Sequence, residues 1–202
     1  MSDNAFGFAF FNTAIGRCSI AWNARGVVRT RLPESDEQKT RDRIRSRYPQ
    51  ARETAPPAEI RHAIDDMIAL LRGEAKDLSA IRLDVSQVPD FNRRVYDVAR
   101  AIPPGATLTY GEIAQRLGDR TLAREVGQAL GQNPFPIIVP CHRVLAAGGK
   151  TGGFSAPGGV STKMRMLTIE QARAGGAQTS QLSLFDQLPL AAQNHSPRRP
   201  RP

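Results

Sequence analysis

Apolar and polar residues alternate along the start of the chain. The apolar members of two such runs are Phe6, Phe8, Phe10, Cys18, Ile20 and Trp22. Turn-forming residues at 13–16 and 23–26 separate these runs from each other and from a third at 27–29. A period of two with short turns between the runs is typical of antiparallel strands. The pattern predicts a small meander, with residues 81–83 as a candidate further strand of the same sheet.

Helical spacing follows the meander. A capping box formed by Ser35 and Gln38 predicts the start of a charged helix that ends near Tyr48. A second helix is predicted before Gly73, because the apolar residues there share one helical face. These residues are Ile60, Ile64, Met67, Ile68 and Leu71.

Helices dominate the pattern after residue 90. An apolar stripe over residues 91–102 predicts one helix, which ends at the Pro-Pro-Gly of 103–105. A second capping box at Thr109 and Glu112 begins a short helix, and another helix follows at about 121–130 after a glycine-containing turn. Two short helices around such a turn are typical of a helix-turn-helix.

Two changes of character divide the chain. Residues 84–90 separate the predicted sheet from the mainly helical part, and the composition shifts to Gln, Ala, Gly, Ser, Pro and Arg after Ala172. We therefore predict an N-terminal α/β domain at 1–83, a C-terminal domain at 84–172 and a disordered tail at 173–202. The expected fold class is α/β, in the α+β sense.

The chain is strongly basic. It has 28 Lys and Arg against 19 Asp and Glu, a net charge of +9. The tail holds four arginines and one acidic residue, so the rest of the chain is basic without it. Phosphate is the natural partner of such a charge, because neutralising a polyanion releases its counterions. A merely soluble basic surface would have the same composition, and charge alone leaves both interpretations open.

Apolar stretches are too short for a membrane span, which needs roughly 20 residues. The N-terminus has no basic segment followed by an apolar one, as a signal peptide would. A soluble, cytoplasmic protein with no membrane partner is expected. The chain has only two cysteines and three histidines, and none of them has a metal-ligand spacing. We therefore expect no disulfide, no metal and no other cofactor.

Cys141 follows an apolar run that ends in Pro140 and precedes two cationic residues, His142 and Arg143. A lone cysteine after apolar residues is commonly a buried structural one. Neighbouring cations instead lower the pKa of a thiol and favour the nucleophilic thiolate. Adjacent strand residues point to opposite faces, so His142 would reach the sulfur only through a water or a bend. The residues alone leave a reactive and a buried thiol open.

Residues 133–144, NPFPIIVPCHRV, resemble the signature of the O6-alkylguanine-DNA alkyltransferases, or methylated-DNA–protein-cysteine methyltransferases. The resemblance covers about residues 84–171, and before them it extends only to the order of strands and helices. Five further segments fall in the family's order and spacing: FNRRVY at 91–96, IPPG at 102–105, TYGEIA at 109–114, AREVG at 123–127 and GGFS at 152–155.

This resemblance implies both a fold and an activity. The fold would be a ribonuclease-H-like N-terminal domain followed by a C-terminal domain that is winged helix-turn-helix-like. The activity would be DNA repair by a suicide enzyme, which flips the damaged base and transfers an alkyl group irreversibly from O6 of guanine to its own cysteine. The expected partner is double-stranded DNA that contains O6-alkylguanine, and O4-alkylthymine is a further candidate substrate. The protein is expected to act as a monomer.

The resemblance also implies catalytic roles. Cys141 would accept the alkyl group, His142 would take its proton through a water, and Glu170 would orient His142. Tyr110 would help to rotate the nucleotide out of the duplex and would donate a proton to the departing guanine. Asn133 would brace the turn that holds the cysteine.

Contacts with DNA follow from the same resemblance. Arg124 would fill the gap in the base stack, Ser155 and the backbone near Val144 would contact the flipped guanine, and Lys163 would lie near the pocket. The remaining expected DNA or base contacts are Thr109, Ala123 and Phe154. Phe154 stands where the family commonly has tyrosine, in a loop with two extra residues, so the range of accepted alkyl groups is left open.

The tail contains a short motif of its own, QLSLF. It resembles the peptide with which bacterial polymerases and repair proteins dock on the replication sliding clamp. The residues that would fill the apolar groove of the clamp are Gln181, Leu182, Leu184 and Phe185. A peptide in an unstructured flank suits this mode of recognition. The alternative is a short helix that folds back on the domain.

Two other functions compete with repair. Alkyltransferase-like proteins bind damaged bases without repairing them, and they lack the acceptor cysteine that is present here as Cys141. A cysteine hydrolase that uses Cys141 and His142 would turn over and would act without DNA. The sequence favours repair, by irreversible transfer to Cys141, over both of these alternatives.

Overall fold

The computed structural model describes residues 6–172. The predicted tail at 173–202, with the candidate clamp-binding residues, lies outside the described residues. None of the helices within 6–172 is long and apolar enough to cross a membrane.

The N-terminal part is built on a four-stranded sheet. Its elements are β1 (Gly7–Thr13), β2 (Gly16–Asn23), β3 (Gly26–Arg31) and β4 (Arg52–Glu53). The first three strands form the predicted antiparallel meander, and β4 pairs parallel to β1, which places β3 at one edge of the sheet. The predicted strand at 81–83 is reduced to a single bridge between Leu83 and Val27.

Two helices pack with this sheet, α1 (Glu37–Arg47) and α2 (Ala58–Leu70). The predicted start of α1 is wrong by one residue. Asp36 and not Ser35 is the N-cap, and its carboxylate accepts a hydrogen bond from Lys39 N at 3.1 Å. Ile44 of α1 packs with Phe8 in a small cluster, while residues of α2 enter the main core.

The C-terminal part is mainly helical, as expected. Its elements are α3 (Asp90–Arg100), β5 (Leu108–Thr109), α4 (Tyr110–Arg116), α5 (Ala123–Gly131), β6 (Val144–Leu145) and α6 (Gly159–Ile169). The capping box of Thr109 and Glu112 is confirmed, and it begins α4. A 3₁₀ turn at Arg120–Leu122 precedes α5, so the second helix of the helix-turn-helix starts two residues later than predicted.

One hydrophobic core joins the two parts of the chain. Its buried members include Ile20 and Met67 from the N-terminal part and Val95, Ile113 and Met166 from the C-terminal part. Apolar contacts therefore cross the predicted domain boundary at residue 84. The division into two domains remains a prediction. The consequence for the site is that the sheet and the helix-turn-helix are held against each other by buried apolar surface.

Candidate active site

The acceptor cysteine follows an irregular turn over residues 133–140. Asn133 closes this turn from within, because its Nδ2 donates to Val139 O at 2.9 Å and its Oδ1 accepts from Phe135 N at 2.8 Å. Ile137 has a φ of 78°, in the left-handed region. For a β-branched residue that conformation is an outlier and costs about 1–3 kcal/mol. The turn is therefore a strained element that the surrounding structure must hold.

Cys141 starts a 3₁₀ turn, Cys141–Arg143, and does not lie in a strand. The alternation of strand side chains therefore does not apply to Cys141 and His142. The residue is half-buried and lines a cavity of about 620 Å³. The predicted site residues that also line this cavity are Tyr110, Asn133, Phe154 and Ser155. Cys141 and four other predicted site residues therefore share one cavity.

Behind Cys141 lies a buried ionic network. The Nε2 of His142 is 2.9 Å from Glu170 Oε1. The guanidinium of Arg143 binds the same carboxylate through Nε at 2.8 Å and Nη2 at 2.9 Å. Its Nη1 donates to the backbone oxygen of Ile102. Glu170 caps the C-terminal end of α6, so this network joins α6, the Cys141 turn and the end of α3.

Burial and hydrogen bonding set the protonation of this network. Burial raises the pKa of Glu170, but the hydrogen bonds from His142 and Arg143 outweigh it and lower the pKa to about 2. Burial lowers the pKa of His142, and the nearby Glu170 only partly opposes this. At neutral pH the network thus holds an ionised carboxylate and a neutral imidazole.

The protonation of the Cys141 thiol, which the sequence left open, follows from its burial. Burial raises its pKa, although Asn133 and the charge of Lys163 act in the opposite direction. The neighbouring cations do not produce a resting thiolate, because His142 is neutral and the charge of Arg143 is compensated by Glu170. Cys141 is therefore a protonated thiol at rest, and it needs a base before it can attack.

Lys163 and Val144 form a second buried contact. The ammonium of Lys163 donates to the carbonyl oxygens of Val144 and Thr151, each at 2.6 Å. Burial lowers the pKa of Lys163 to about 8. Neither Lys163 nor Val144 is among the residues that line the Cys141 cavity. This contact ties β6 to the loop that leads to the cavity wall.

Tyr110 lies in the cavity wall and close to two glycines, Gly127 of the same wall and Gly152. A Cβ placed on Gly152 would come within 3.2 Å of the Tyr110 ring and 3.3 Å of its hydroxyl, and Gly152 also has a positive φ of 67°. A Cβ on Gly127 of α5 would lie 3.8 Å from the same ring. Burial raises the pKa of Tyr110, so its phenol stays protonated at neutral pH. On the neighbouring wall, Ser155 Oγ donates to Gly131 O at 3.0 Å.

The remaining predicted DNA contacts lie on the helix-turn-helix. Arg124 is exposed near the start of α5, and Ala123 beside it is half-buried. The hydroxyl of Thr109 accepts from Glu112 N at 3.1 Å, so this residue already serves as the N-cap of α4. None of these three side chains lines the Cys141 cavity, and they lie outside the pocket itself.

Comparison with known proteins decides which chemistry this site belongs to. Residues 90–172 match the family described as 6-O-methylguanine DNA methyltransferase, DNA binding domain. The methylated-DNA–protein-cysteine methyltransferase of Methanothermobacter thermautotrophicus is 35% identical over 151 residues, which cover 75% of this chain and 77% of that protein. The chain belongs to the methylated-DNA–protein-cysteine methyltransferase family.

Further relatives of this family match over most of the chain. The methylated-DNA–protein-cysteine methyltransferase of Mycobacterium tuberculosis is 41% identical over 133 residues, or 66% of this chain and 76% of that protein. The crystal structure of Mycobacterium tuberculosis OGT in complex with DNA aligns with a TM-score of 0.66 and 33% identity. That alignment covers 89% of this chain and 99% of the other. The α+β fold class is confirmed, and the likeness to ribonuclease H remains a prediction.

One wall of the cavity in this methyltransferase is formed by residues that no sequence pattern connects to Cys141. Residues 29–32 of the N-terminal part, at and just after the edge strand β3, line the cavity together with Glu34. They lie about a hundred positions from Cys141, and no local pattern marks a contact across such a separation. The N-terminal part is therefore a wall of the candidate active site as well as a partner in the core.

Glu170→Gln tests the buried network by its pH dependence. The pKa of Glu170 is lower in the folded state, about 2, than its ordinary value of 4.5. The ionised carboxylate therefore stabilises the protein above pH 4.5, by about 3 kcal/mol, and this contribution is lost as the pH falls toward 2. We expect the variant to be less stable at pH 7 and to lose less free energy of unfolding than wild type between pH 4.5 and pH 2.

The measurement is denaturant unfolding at a series of pH values. Glu59→Gln is the matched control, because Glu59 lies on the surface of α2 with 62% of its side chain exposed. The control should follow the wild-type profile. Parallel profiles for wild type and Glu170→Gln would contradict the assignment of an ionised, paired Glu170.

Proposed function

We propose that this protein repairs DNA by moving an alkyl group from O6 of guanine to the sulfur of Cys141, once per molecule. The observation that carries the proposal is the position of Cys141, which lines a cavity and directly precedes His142, itself buried and paired with Glu170. The family supports it, since the curated relatives are named for methylated DNA and a protein cysteine as acceptor.

The substrate has to enter the cavity as a single base. An O6-alkyl group lies inside the duplex, so the nucleotide must rotate out, which costs a few kcal/mol of stacking and pairing. The exposed Arg124 on α5 is suited to fill the gap that is left, and Tyr110 lies at the cavity into which the base would turn. Basic charge on the protein supports binding to phosphates without dependence on sequence.

The protonation states favour a defined path for the thiol proton. An ionised carboxylate can only accept hydrogen bonds, so His142 Nε2 carries the proton that faces Glu170. The Nδ1 lone pair of the neutral imidazole is then the base that removes the Cys141 proton through a water. Arg143 binds the other side of the carboxylate and acts as a positioning residue for it.

The transfer itself is a displacement at a saturated carbon. The sulfur–carbon bond forms while the bond from O6 to that carbon breaks, and the electron pair of the broken bond remains on guanine. The protonated phenol of Tyr110 can supply the proton that neutralises the departing base. The product is a thioether, which neither water nor His142 can cleave under cellular conditions. Each molecule therefore acts once.

Intact mass after incubation with a duplex that contains O6-methylguanine tests this proposal. We expect a gain of one methyl group, located on the tryptic peptide that contains Cys141. Cys141→Ala should bind the damaged duplex and gain nothing. Cys18→Ala is the matched control and should gain the methyl group, because Cys18 is buried and its pKa is raised to about 12 by burial.

Other outcomes of this experiment point to the competing functions. An unchanged mass together with tight binding of the damaged duplex would contradict repair and indicate a damage-binding protein. Turnover of a small substrate without DNA, with loss in Cys141→Ala, would indicate a hydrolase. Either result would overturn the proposed transfer.

The tail adds a proposed partner. We propose that the motif at residues 181–185 docks the protein on the bacterial replication sliding clamp, where a repair protein meets newly copied DNA. Support comes from the sequence of the motif and from the DNA repair function proposed above. The proposal includes action as a monomer in the cytoplasm, where the thiol of Cys141 stays reduced.

A peptide of residues 178–190 should bind purified bacterial sliding clamp in a titration. A peptide with Leu184→Ala and Phe185→Ala is the control and should bind at least tenfold more weakly, because it lacks the side chains that fill an apolar groove. No binding of the unaltered peptide at high micromolar concentration would contradict the proposal.

A further inference from the structure

The edge strand β3 is hydrogen-bonded to the turn that carries the acceptor cysteine. Thr30 N donates to Pro134 O at 3.0 Å, and Thr30 Oγ1 donates to Pro136 O at 2.6 Å. Thr30 is only 2% exposed. One residue of the N-terminal part thus makes two hydrogen bonds to the strained 133–140 turn, and the bond from its hydroxyl is buried.

Both acceptors of these bonds are carbonyl oxygens of prolines. Pro134 and Pro136 have no N–H, so this segment cannot pair with β3 as an ordinary strand would. Its carbonyl oxygens are still acceptors, and that of the buried Pro136 needs a partner, which the Thr30 hydroxyl supplies. The residue that follows Pro136 is Ile137, where the backbone takes its positive φ of 78°.

The turn is thereby held from both sides. Asn133 bridges Phe135 N and Val139 O from within, and Thr30 holds the two proline carbonyls from β3. Loss of the Thr30 hydroxyl would leave Pro136 O buried without this donor and would release the turn next to its strained residue. Cys141 lies at the end of that turn, so its thiol would then occupy the productive position for a smaller fraction of time.

We propose that Thr30 is a positioning residue for alkyl transfer: it holds the 133–140 turn in the conformation that presents the Cys141 sulfur to the cavity. The inference rests on the proposed function and assigns a task in that reaction to the N-terminal part. Thr30 is one of the residues of the cavity wall, but only 2% of it is exposed, so we infer that it acts through the turn and not by contact with the substrate. Its effect should fall on the rate of transfer and not on DNA affinity, because the DNA-facing α5 makes none of these hydrogen bonds.

Thr30→Val removes the hydroxyl and retains the branched shape. Single-turnover transfer is measured at increasing concentrations of a duplex with O6-methylguanine, and the limiting rate is separated from the half-saturating concentration. We expect a limiting rate lower by about tenfold or more, because a sulfur displaced by a fraction of an ångström is less often in position to attack. The half-saturating concentration should stay within about twofold of wild type, and Thr30→Ser should restore most of the rate.

Thr40→Val is the matched control. Thr40 is a buried threonine of the same N-terminal part, and its hydroxyl also donates to a backbone oxygen, Asp36 O at 3.2 Å. It lies in α1 and makes no contact with the turn that would position Cys141. Asp36 O keeps the backbone N–H of Thr40 as a donor, so the control should lose little stability in denaturant unfolding and keep the wild-type limiting rate.

The outcomes separate the possible failures. Equal limiting rates for Thr30→Val and wild type, or an equal loss of rate in Thr40→Val, would overturn the positioning role. Absence of transfer in the wild-type protein would overturn the proposed function instead. Should Thr30→Val not fold, Thr30→Ala is tested in the same way, with rates expressed per folded molecule from circular dichroism. A wild-type rate in that variant would equally overturn the inference.

Discussion

A buried ionised carboxylate, Glu170, is the constraint on which this structure depends. Its side chain is 1% exposed, and an unpaired charge at such a position would cost several kcal/mol. The pairing with Arg143 and His142 meets that requirement. Arg143, which pairs with the charge of Glu170, also donates to Ile102 O. These contacts join the end of α6, the Cys141 turn and the end of α3. The same contact that stabilises the interior therefore fixes the imidazole of His142, the residue after Cys141.

The chemistry follows from the same burial. Desolvation keeps Cys141 protonated and keeps His142 neutral, so the protein has no permanently reactive thiolate at this position. That arrangement suits a molecule that can react only once, since a free thiolate would be consumed by other electrophiles. The strained turn before Cys141 adds a second requirement, because its backbone holds its shape only while Asn133 and Thr30 bind it.

Sequence patterns predicted those parts of the molecule that depend on neighbours along the chain. The alternation of Phe8 with Phe10 and the capping box at Thr109 are local signals, and the meander and the start of α4 followed from them.

The N-cap at Asp36 was missed because Ser35 offered an equivalent motif one position earlier. The two-residue strand β4 has no apolar pattern of its own. The residues around Cys141 left a reactive and a buried thiol open, because burial and the pairing of Arg143 with Glu170 are tertiary effects. The contact of Thr30 with the turn joins residues too far apart for any local pattern to show.

The stoichiometry of transfer tests the central claim most directly. The protein is mixed with an excess of duplex that contains O6-methylguanine with a labelled methyl group, and the label bound to protein is followed to completion. The account predicts a plateau at one methyl group per chain, with no further loss of methyl from the remaining DNA. Continued demethylation beyond one equivalent, or a plateau at zero, would contradict it.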